Sequence, residues 1–297
     1  MSDSIAALVV TYNRLTKLKK NIQALKNISP NLLTKIIIID NNSTDNTKKY
    51  LKKISTNTRF IIIHLNQNLG GAGGFNAGIK FFYNHTPFKF VWLMDDDTIP
   101  NENALNKLIK ASSKVQASFY ASNVRWIDGS PALMNKVKPI KNLGNGLEEI
   151  MKATFVSLMV KRDLIKKVGF PQKEYFIWGD DMEYTERLSR IKGGCFVLNS
   201  KVLHEIKFNI GAGDIFHEKT LSRLDRYYYE YRNRLLTGRR RNKTTKKMRP
   251  YIHTLIDFSK VIFGKTNYKI KKLNIMVKGT LAGLNFNPKI EYPDKKI

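Results

Sequence analysis

The chain has 297 residues, 42% of them apolar, which is enough for a large core and too apolar for an intrinsically disordered chain. Its 52 Lys and Arg stand against 24 Asp and Glu, a formal net charge of +28 that asks for an anionic partner: nucleic acid, anionic lipid or a phosphorylated substrate. A single cysteine, Cys195, excludes a disulfide framework within the chain and fits a reducing compartment.

The apolar stretch after Met1 is too short to span a membrane and follows an acid where a secretion signal would be basic. No other stretch reaches the ~18 apolar residues of a spanning helix, so the chain is expected to be cytoplasmic, soluble or peripheral. From the N-terminus, "IAALVV" (5–10), "KIIIID" (35–40), "FIIIHL" (60–65) and "FVWLM" (90–94) are β-branched apolar runs, predicted as buried strands. Helical spacing over 14–27, 46–54 and 73–84 separates them. This alternation predicts an α/β fold with a mostly parallel sheet flanked by helices. A helix over 102–112, a strand over 118–126, a Gly/Pro/Asn-rich loop over 127–150 and a strand running into a helix over 154–169 follow. Then come a helix over 180–194, a strand over 195–199 and, from about 218, mainly helices at 218–239, 246–263 and 269–284. The division expected is residues 1–217 as the catalytic α/β part and 218–297 as a helical, basic C-terminal part.

Open α/β sheets bind ligands at the carboxyl ends of their strands, and the chain's least ordinary segments fall there. These are "TYNR" (11–14), "DNNSTDNT" (40–47), "NQNLGGAGGFNAG" (66–78) and the acidic triplet Asp95-Asp96-Asp97. Three adjacent like charges at a strand end repel unless something positive joins them. Asp95 and Asp97, two apart, share a face of an extended chain and suit a hard divalent cation that brings diphosphate oxygens with it. The "GGAGG" run (70–74) allows close backbone approach to a ligand, but it follows the third strand and lacks the phosphate-loop lysine, so neither standard nucleotide fingerprint fits. "FIWGDDMEY" (176–184) supplies a second acidic pair, Asp180 and Asp181, at a helix start. Capping is one use for it; a general base taking a proton from a hydroxyl is another. Adjacent helical residues point about 100° apart, so one of the two faces a substrate.

Together "VVTYNR", "DNNSTD", "NLGGAGGFNAG", "MDDDT" and "WGDDMEY" resemble family 2 glycosyltransferases with the GT-A fold, a Rossmann-like sheet between helices. The "N-x-GGAGGF" and "W-x-DD" forms look most like bacterial galactofuranosyltransferases and rhamnosyltransferases of surface polysaccharides. The likeness runs from residue 5 to about 236 and includes "DRYYYEYRNRLL" (225–236); "VKGTLAGLNFN" (277–287) matches only loosely, with alanine where relatives carry aspartate. The resemblance implies that Thr11, Tyr12, Arg14, Asp40, Asn68 and Asp95 line the nucleotide pocket. It implies that Asp95 and Asp97, completed by His204, hold Mn2+ or Mg2+, and that Asp96 contacts the donor sugar. It makes Asp181 the general base, with Asp180 and Trp178 meeting the acceptor. Tyr227 and Tyr231 are expected to pack, and Arg232 to reach acceptor or diphosphate.

The activity implied is an inverting transfer, from UDP-galactofuranose or else dTDP-rhamnose, to a lipid-linked oligosaccharide. The basic run 239–249 would meet an anionic membrane, on the inner face of a bacterial cell membrane, with 251–263 adding apolar insertion. A nucleic-acid-binding protein is the rival that the charge allows. Against it, the acids cluster in the expected cleft and no RNA-recognition or zinc motif is present, so no nucleic-acid partner is expected. A nucleotidyltransferase would want a basic G-x-G loop where this chain has "TYNR".

Overall fold

The computed structural model describes residues 4–209, 211, 213–241 and 244–294. In chain order its elements are β1 (Ile5–Thr11), α1 (Leu15–Asn27), β2 (Lys35–Asp40), α2 (Thr47–Ile54), β3 (Phe60–His64), α3 (Gly70–His85), β4 (Phe90–Asp95), β5 (Thr98–Pro100), α4 (Ala104–Lys114), β6 (Phe119–Arg125), β7 (Pro139–Gly144), β8 (Leu147–Ile150), β9 (Leu158–Lys161), α5 (Arg162–Val168), α6 (Asp180–Ser189) and β10 (Gly194–His204). Helices α7 (Tyr227–Arg239), α8 (Thr244–Phe263) and α9 (Lys269–Asn285) follow. No helix among the described residues is long and apolar enough to cross a membrane.

One sheet runs β3-β2-β1-β4-β9-β6-β10-β8-β7, with β5 paired to β10. Alternation along β1 builds both layers of core. Ile5, Ala7 and Val9 face Leu18, Ile22 and Leu25 of α1, which lie on one helical stripe, and further along the same side Leu105 and Leu108 of α4. Ala6, Leu8 and Val10 face Phe75, Ile79 and Phe82 of α3. All these side chains are almost fully buried, each large one contributing roughly 1.5–3 kcal/mol.

The expected mostly parallel sheet is parallel from β3 to β4 and mixed beyond it. β9 runs antiparallel between β4 and β6, and β8 and β7 continue antiparallel beyond β10. The stretch 127–150, expected as a loop, contributes this last hairpin; its exposed β7, with Gly144 and Gly146 at the turn, carries no apolar alternation to announce it. β10 extends past the expected 199 to His204, because its far half pairs with β5. α3 starts at Gly70 rather than 73.

Gly70 and Gly71 border the cavity at the sheet edge, and most glycines of this helix also serve packing. Gly74 abuts Val10, Gly78 abuts Leu8 and Gly70 abuts the backbone of Phe176, so they permit close helix–sheet and helix–loop contact; among the glycines of 70–74, only Gly71 has open space beside it.

α7, α8 and α9 enclose a smaller core of Tyr227, Tyr231, Val261, Ile275 and Met276, so Tyr227 and Tyr231 pack. The α7–α9 contact depends on two glycines one turn apart. A Cβ on Gly279 would lie 2.6 Å from the Tyr228 carbonyl oxygen, and one on Gly283 would lie 2.9 Å from that of Arg232. The first three bases of the basic run are turned inward. Arg239 donates to the carbonyls of Gly283 and Phe286, Arg240 to Gln172, Glu183 and the Pro288 carbonyl, and Arg241 to Glu186. Asn242 and Lys243 of that run lie outside the described residues.

Candidate active site

The carboxyl ends of β1, β2 and β4 and the start of α3 open onto one cavity of about 1040 Å³, closed on the far side by α6, α7 and α8. Thr11, Tyr12, Arg14, Asn68, Asp95, Asp96, Asp97, Trp178, Asp180, Asp181 and His204 all line it. Asp40 does not. It is fully buried behind the wall, where one carboxylate oxygen accepts from the Ser43 N–H and the other meets His64 Nδ1 at 2.8 Å. The side chain at that level of the wall is its neighbour Asn41, bonded to Asn68.

The positive partner of the acidic triplet is Arg14. Its guanidinium reaches Asp97 at 2.9 Å and Asp96 at 3.3 Å, with Lys17 3.4 Å from Asp97. Asp96 also accepts from the Thr11 hydroxyl at 2.8 Å. Both of its oxygens are therefore engaged and it is 2% exposed, which argues against the expected donor-sugar contact. Its place is that of a brace between β1 and β4.

Asp95, Asp97 and His204 each offer a ligand atom, all within 4.8 Å of one another. β5 brings this about: Thr98 pairs with His204, and the Glu205 N–H donates to the Asp97 carbonyl. His204 Nδ1 lies 2.8 Å from Asn135 Oδ1, and the Asn135 amide donates to Thr154, so a neutral ring keeps its proton on Nδ1 and leaves the Nε2 lone pair free. That lone pair faces Asp97 Oδ1 at 3.2 Å, and this oxygen is buried without a hydrogen-bond donor. Two acceptors set face to face fit a cation between them, and the mixed oxygen and imidazole set suits Mn2+. Asn135 came from the stretch expected to be a loop; nothing in "LMNK" marks it as the group that sets the tautomer.

Burial and Asp97 raise Asp95 to about 7, with His204 opposing. Burial raises Asp96 to about 6 against the pull of Arg14. Burial would raise Asp97 too, but a protonated His204, with Arg14 and Lys17, outweighs it and holds that carboxyl at about 2.

Across the cavity, α6 opens on Asp180 and Asp181. Burial, then the neighbouring charges of Asp181 and Asp95, hold Asp180 well above the usual carboxylate range. Burial lifts Asp181 to about 6 against the Met182 N–H, which donates to it at 2.7 Å. The loop before the helix is strained. Phe176 has φ 63° and ψ −60° with the Ile177 N–H bonded back to the Tyr175 carbonyl, the rare form of γ-turn, and Trp178 has φ 65°. Asn233 of α7, 1% exposed, holds this loop by donating to the carbonyls of Tyr175, Ile177 and Trp178 at 2.9–3.1 Å. Trp178 stands edge-to-face with Tyr227, ring centroids 5.1 Å apart. Arg232 does not reach the cavity; it donates to the Glu174 and Tyr175 carbonyls and lies 4.0 Å from the Phe286 ring, so the expected ligand contact is corrected to a packing role.

Residues 6–169 match the sequence model described as glycosyl transferase family 2. A poly-β-1,6-N-acetyl-D-glucosamine synthase of Staphylococcus aureus is 31% identical over 140 residues, 45% of this chain and 30% of the synthase, so the match spans under a third of that relative's length. The galactofuranosyltransferase GlfT1 of Mycobacterium tuberculosis is 24% identical over 204 residues, 64% of this chain and 66% of that protein. Among solved structures, S. aureus TarS residues 1–349 superimposes with a TM-score of 0.63 at 13% identity, over 93% of this chain and 81% of the other. The same TarS fragment in complex with UDP-GlcNAc gives 0.61 at 12% identity, covering 93% and 81%. These likenesses establish the fold: a central sheet between helices, as in GT-A enzymes, with a helical C-terminal part.

Proposed function

The chain belongs to glycosyl transferase family 2, and from that premise we propose that it is a glycosyltransferase that moves galactofuranose, with inversion, from UDP-galactofuranose to a hydroxyl of a lipid-linked glycan in bacterial surface-polysaccharide synthesis. The observation that carries the reading is the opposition, across one cavity, of Asp95, Asp97 and His204 to Asp180 and Asp181. UDP as the carrier draws support from the UDP-GlcNAc bound to TarS, and galactofuranose from the name of GlfT1.

In this reading Tyr12, Asn41 and Asn68 line the nucleotide end. Asp95, Asp97 and His204 would hold the metal, Mn2+ before Mg2+, and a bound metal supplies charge to the departing diphosphate as a Lewis acid. Asp181, at about 6, is ionised at neutral pH and takes the acceptor proton. Asp180, held protonated, donates a hydrogen bond to a sugar hydroxyl. Environments that drive two neighbouring carboxyls to different states assign them different roles. The acceptor oxygen bonds to the anomeric carbon as the carbon–oxygen bond to the diphosphate breaks, and that electron pair leaves on the diphosphate. Trp178 offers its ring to the acceptor.

Residues 218–297 form the acceptor- and membrane-facing part in this reading. Support comes from the apolar side chains that α8 and α9 expose, Leu255 at 67% and Phe263 and Ile270 at 85% each. In this reading that surface meets the inner face of the cell membrane.

Nucleoside diphosphate release across a panel of sugar nucleotides tests the whole. Metal-dependent UDP release from UDP-galactofuranose, abolished by EDTA and by Asp97→Ala, is expected. Release from dTDP-rhamnose or another donor instead would replace the sugar and keep the mechanism.

A further inference from the structure

Every backbone carbonyl from Glu174 to Trp178, in the loop that leads into α6, is held from outside that loop. Arg232 of α7 donates to those of Glu174 and Tyr175, and Asn233 to those of Tyr175, Ile177 and Trp178. The remaining one, of Phe176, accepts from the Ala72 N–H in the first turn of α3, 3.1 Å away. Two side chains of the loop are held as well. Phe176 stacks on Tyr229, ring centroids 4.8 Å apart, and Trp178 meets Tyr227. The tyrosines and basic residues of 227–233 are thus committed to one short loop.

The backbone needs that hold. Phe176 and Trp178 both have positive φ, where a bulky side chain crowds the backbone, and Gly179 follows at φ 89°. Asn233 is at the centre of it. A buried amide inside a helix is costly unless its polar atoms are satisfied, and the packing of α7 asks for none there: Tyr227, Tyr231 and Leu236 supply the apolar contact. Asn233 Oδ1 accepts from Arg232 Nε and Nη2 at 3.0 and 2.9 Å, which leaves Nδ2 to face the loop. Directly after the loop come Asp180 and Asp181, and they line the cavity together with Trp178.

We propose that Asn233, backed by Arg232, is a positioning residue for the acceptor half of the cavity: its three hydrogen bonds keep the Phe176–Gly179 loop in the strained form that sets Trp178 and Asp181 at the cavity wall. The inference rests on the transferase reading only for what Trp178 and Asp181 do there. Asn233 acts through the loop, so its loss displaces the base and the ring without touching the residues that line the nucleotide end.

The test uses protein labelled with 5-fluorotryptophan, whose three fluorine resonances are assigned with Trp178→Phe, in the wild type, Asn233→Asp, Asn233→Ala and Tyr231→Phe. Tyr231→Phe is the control: it removes the hydrogen bond to Asp257 from the roughly opposite side of α7. Both Asn233 variants are expected to move the Trp178 resonance and leave that of Trp92 in place. They are also expected to lower kcat for UDP release from the sugar nucleotide turned over by about tenfold or more, with KM unchanged. Tyr231→Phe should do neither. In the wild type the Ile177 N–H, bonded within the γ-turn, should exchange as slowly as the amides of α7. Exchange at the rate of an open loop overturns the inference, even where the Asn233 variants do not fold. So does an unmoved Trp178 resonance in both Asn233 variants, an equal shift in Tyr231→Phe, or a moved resonance with kcat intact. If the wild type releases UDP from no donor, slow Ile177 exchange and a Trp178 shift confined to the Asn233 variants keep the positioning role and count against the transferase reading.

Discussion

Asp181 carries a conflict between stability and chemistry. Its folded value of about 6 lies above that of an unfolded aspartate, 3.8. The protonated side chain therefore stabilises the fold below about pH 4, and that contribution is lost as pH rises through about 6. A base must be ionised, so the rate is expected to rise over the same interval. Asp181→Asn keeps an oxygen for the Met182 N–H and removes the charge. Turnover should fall by at least ~100-fold, while the melting temperature at pH 7 exceeds that of the wild type and the difference shrinks towards pH 4. Melting curves at pH 4 and pH 7 beside rate measurements check both halves; a variant less stable than the wild type at pH 7 would contradict the assigned burial. At the same scale, the residue types at strand ends announced Asp95 and Asp97, whereas Arg14 and His204 were reached through the resemblance. Asn135 was silent because it has no local pattern and matters through His204, distant in sequence.

Among the elements, α9 makes the sharpest claim. Gly279 sits inside the helix, where alanine would ordinarily stabilise by roughly 0.5–1 kcal/mol. Its missing Cβ makes room for the Tyr228 carbonyl of α7. Gly279→Ala is therefore expected to destabilise by ~1 kcal/mol or more, overpacking outweighing propensity. Gly71→Ala, where nothing lies within 4 Å, should be neutral or stabilising. Denaturant unfolding of both variants decides; equal behaviour would remove the close α7–α9 approach as a determinant of the fold. The first four strands and their helices were legible because a parallel strand buried on both faces leaves an unbroken apolar run. β7 and β8 were not, because an exposed edge hairpin is held by backbone bonds that any polar sequence can make.

At the scale of the whole molecule, the charge of +28 is spread over both parts of the chain, and α8 and α9 add exposed apolar side chains at the helical end. Arg239, Arg240 and Arg241 are committed to internal carbonyls and carboxylates, so a membrane contact would rest on Phe263 and Ile270, with Lys246 and Lys247 adding roughly 1 kcal/mol each at an anionic surface. Vesicle flotation is expected to show salt-sensitive binding to anionic lipid, weaker binding to neutral lipid, and loss of both in a Phe263→Asp, Ile270→Asp double variant. Binding indifferent to that variant would mean that the face meets something else.

By itself the sequence determined the α/β class, the strands that carry the site and the side chains at their ends. Local spacing decides these, since the period of apolar residues sets the element and the residue after a strand lies at the sheet edge. Only the tertiary structure decided which of those side chains share a cavity. Strand β5, three residues long, turns Asp97 towards His204, and Asn233 of α7 holds the loop that carries Trp178. Asp40, placed by sequence among the ligand contacts, is instead closed off behind the wall. Pairing between distant segments is set by the summed packing of both, and no short stretch of either contains it.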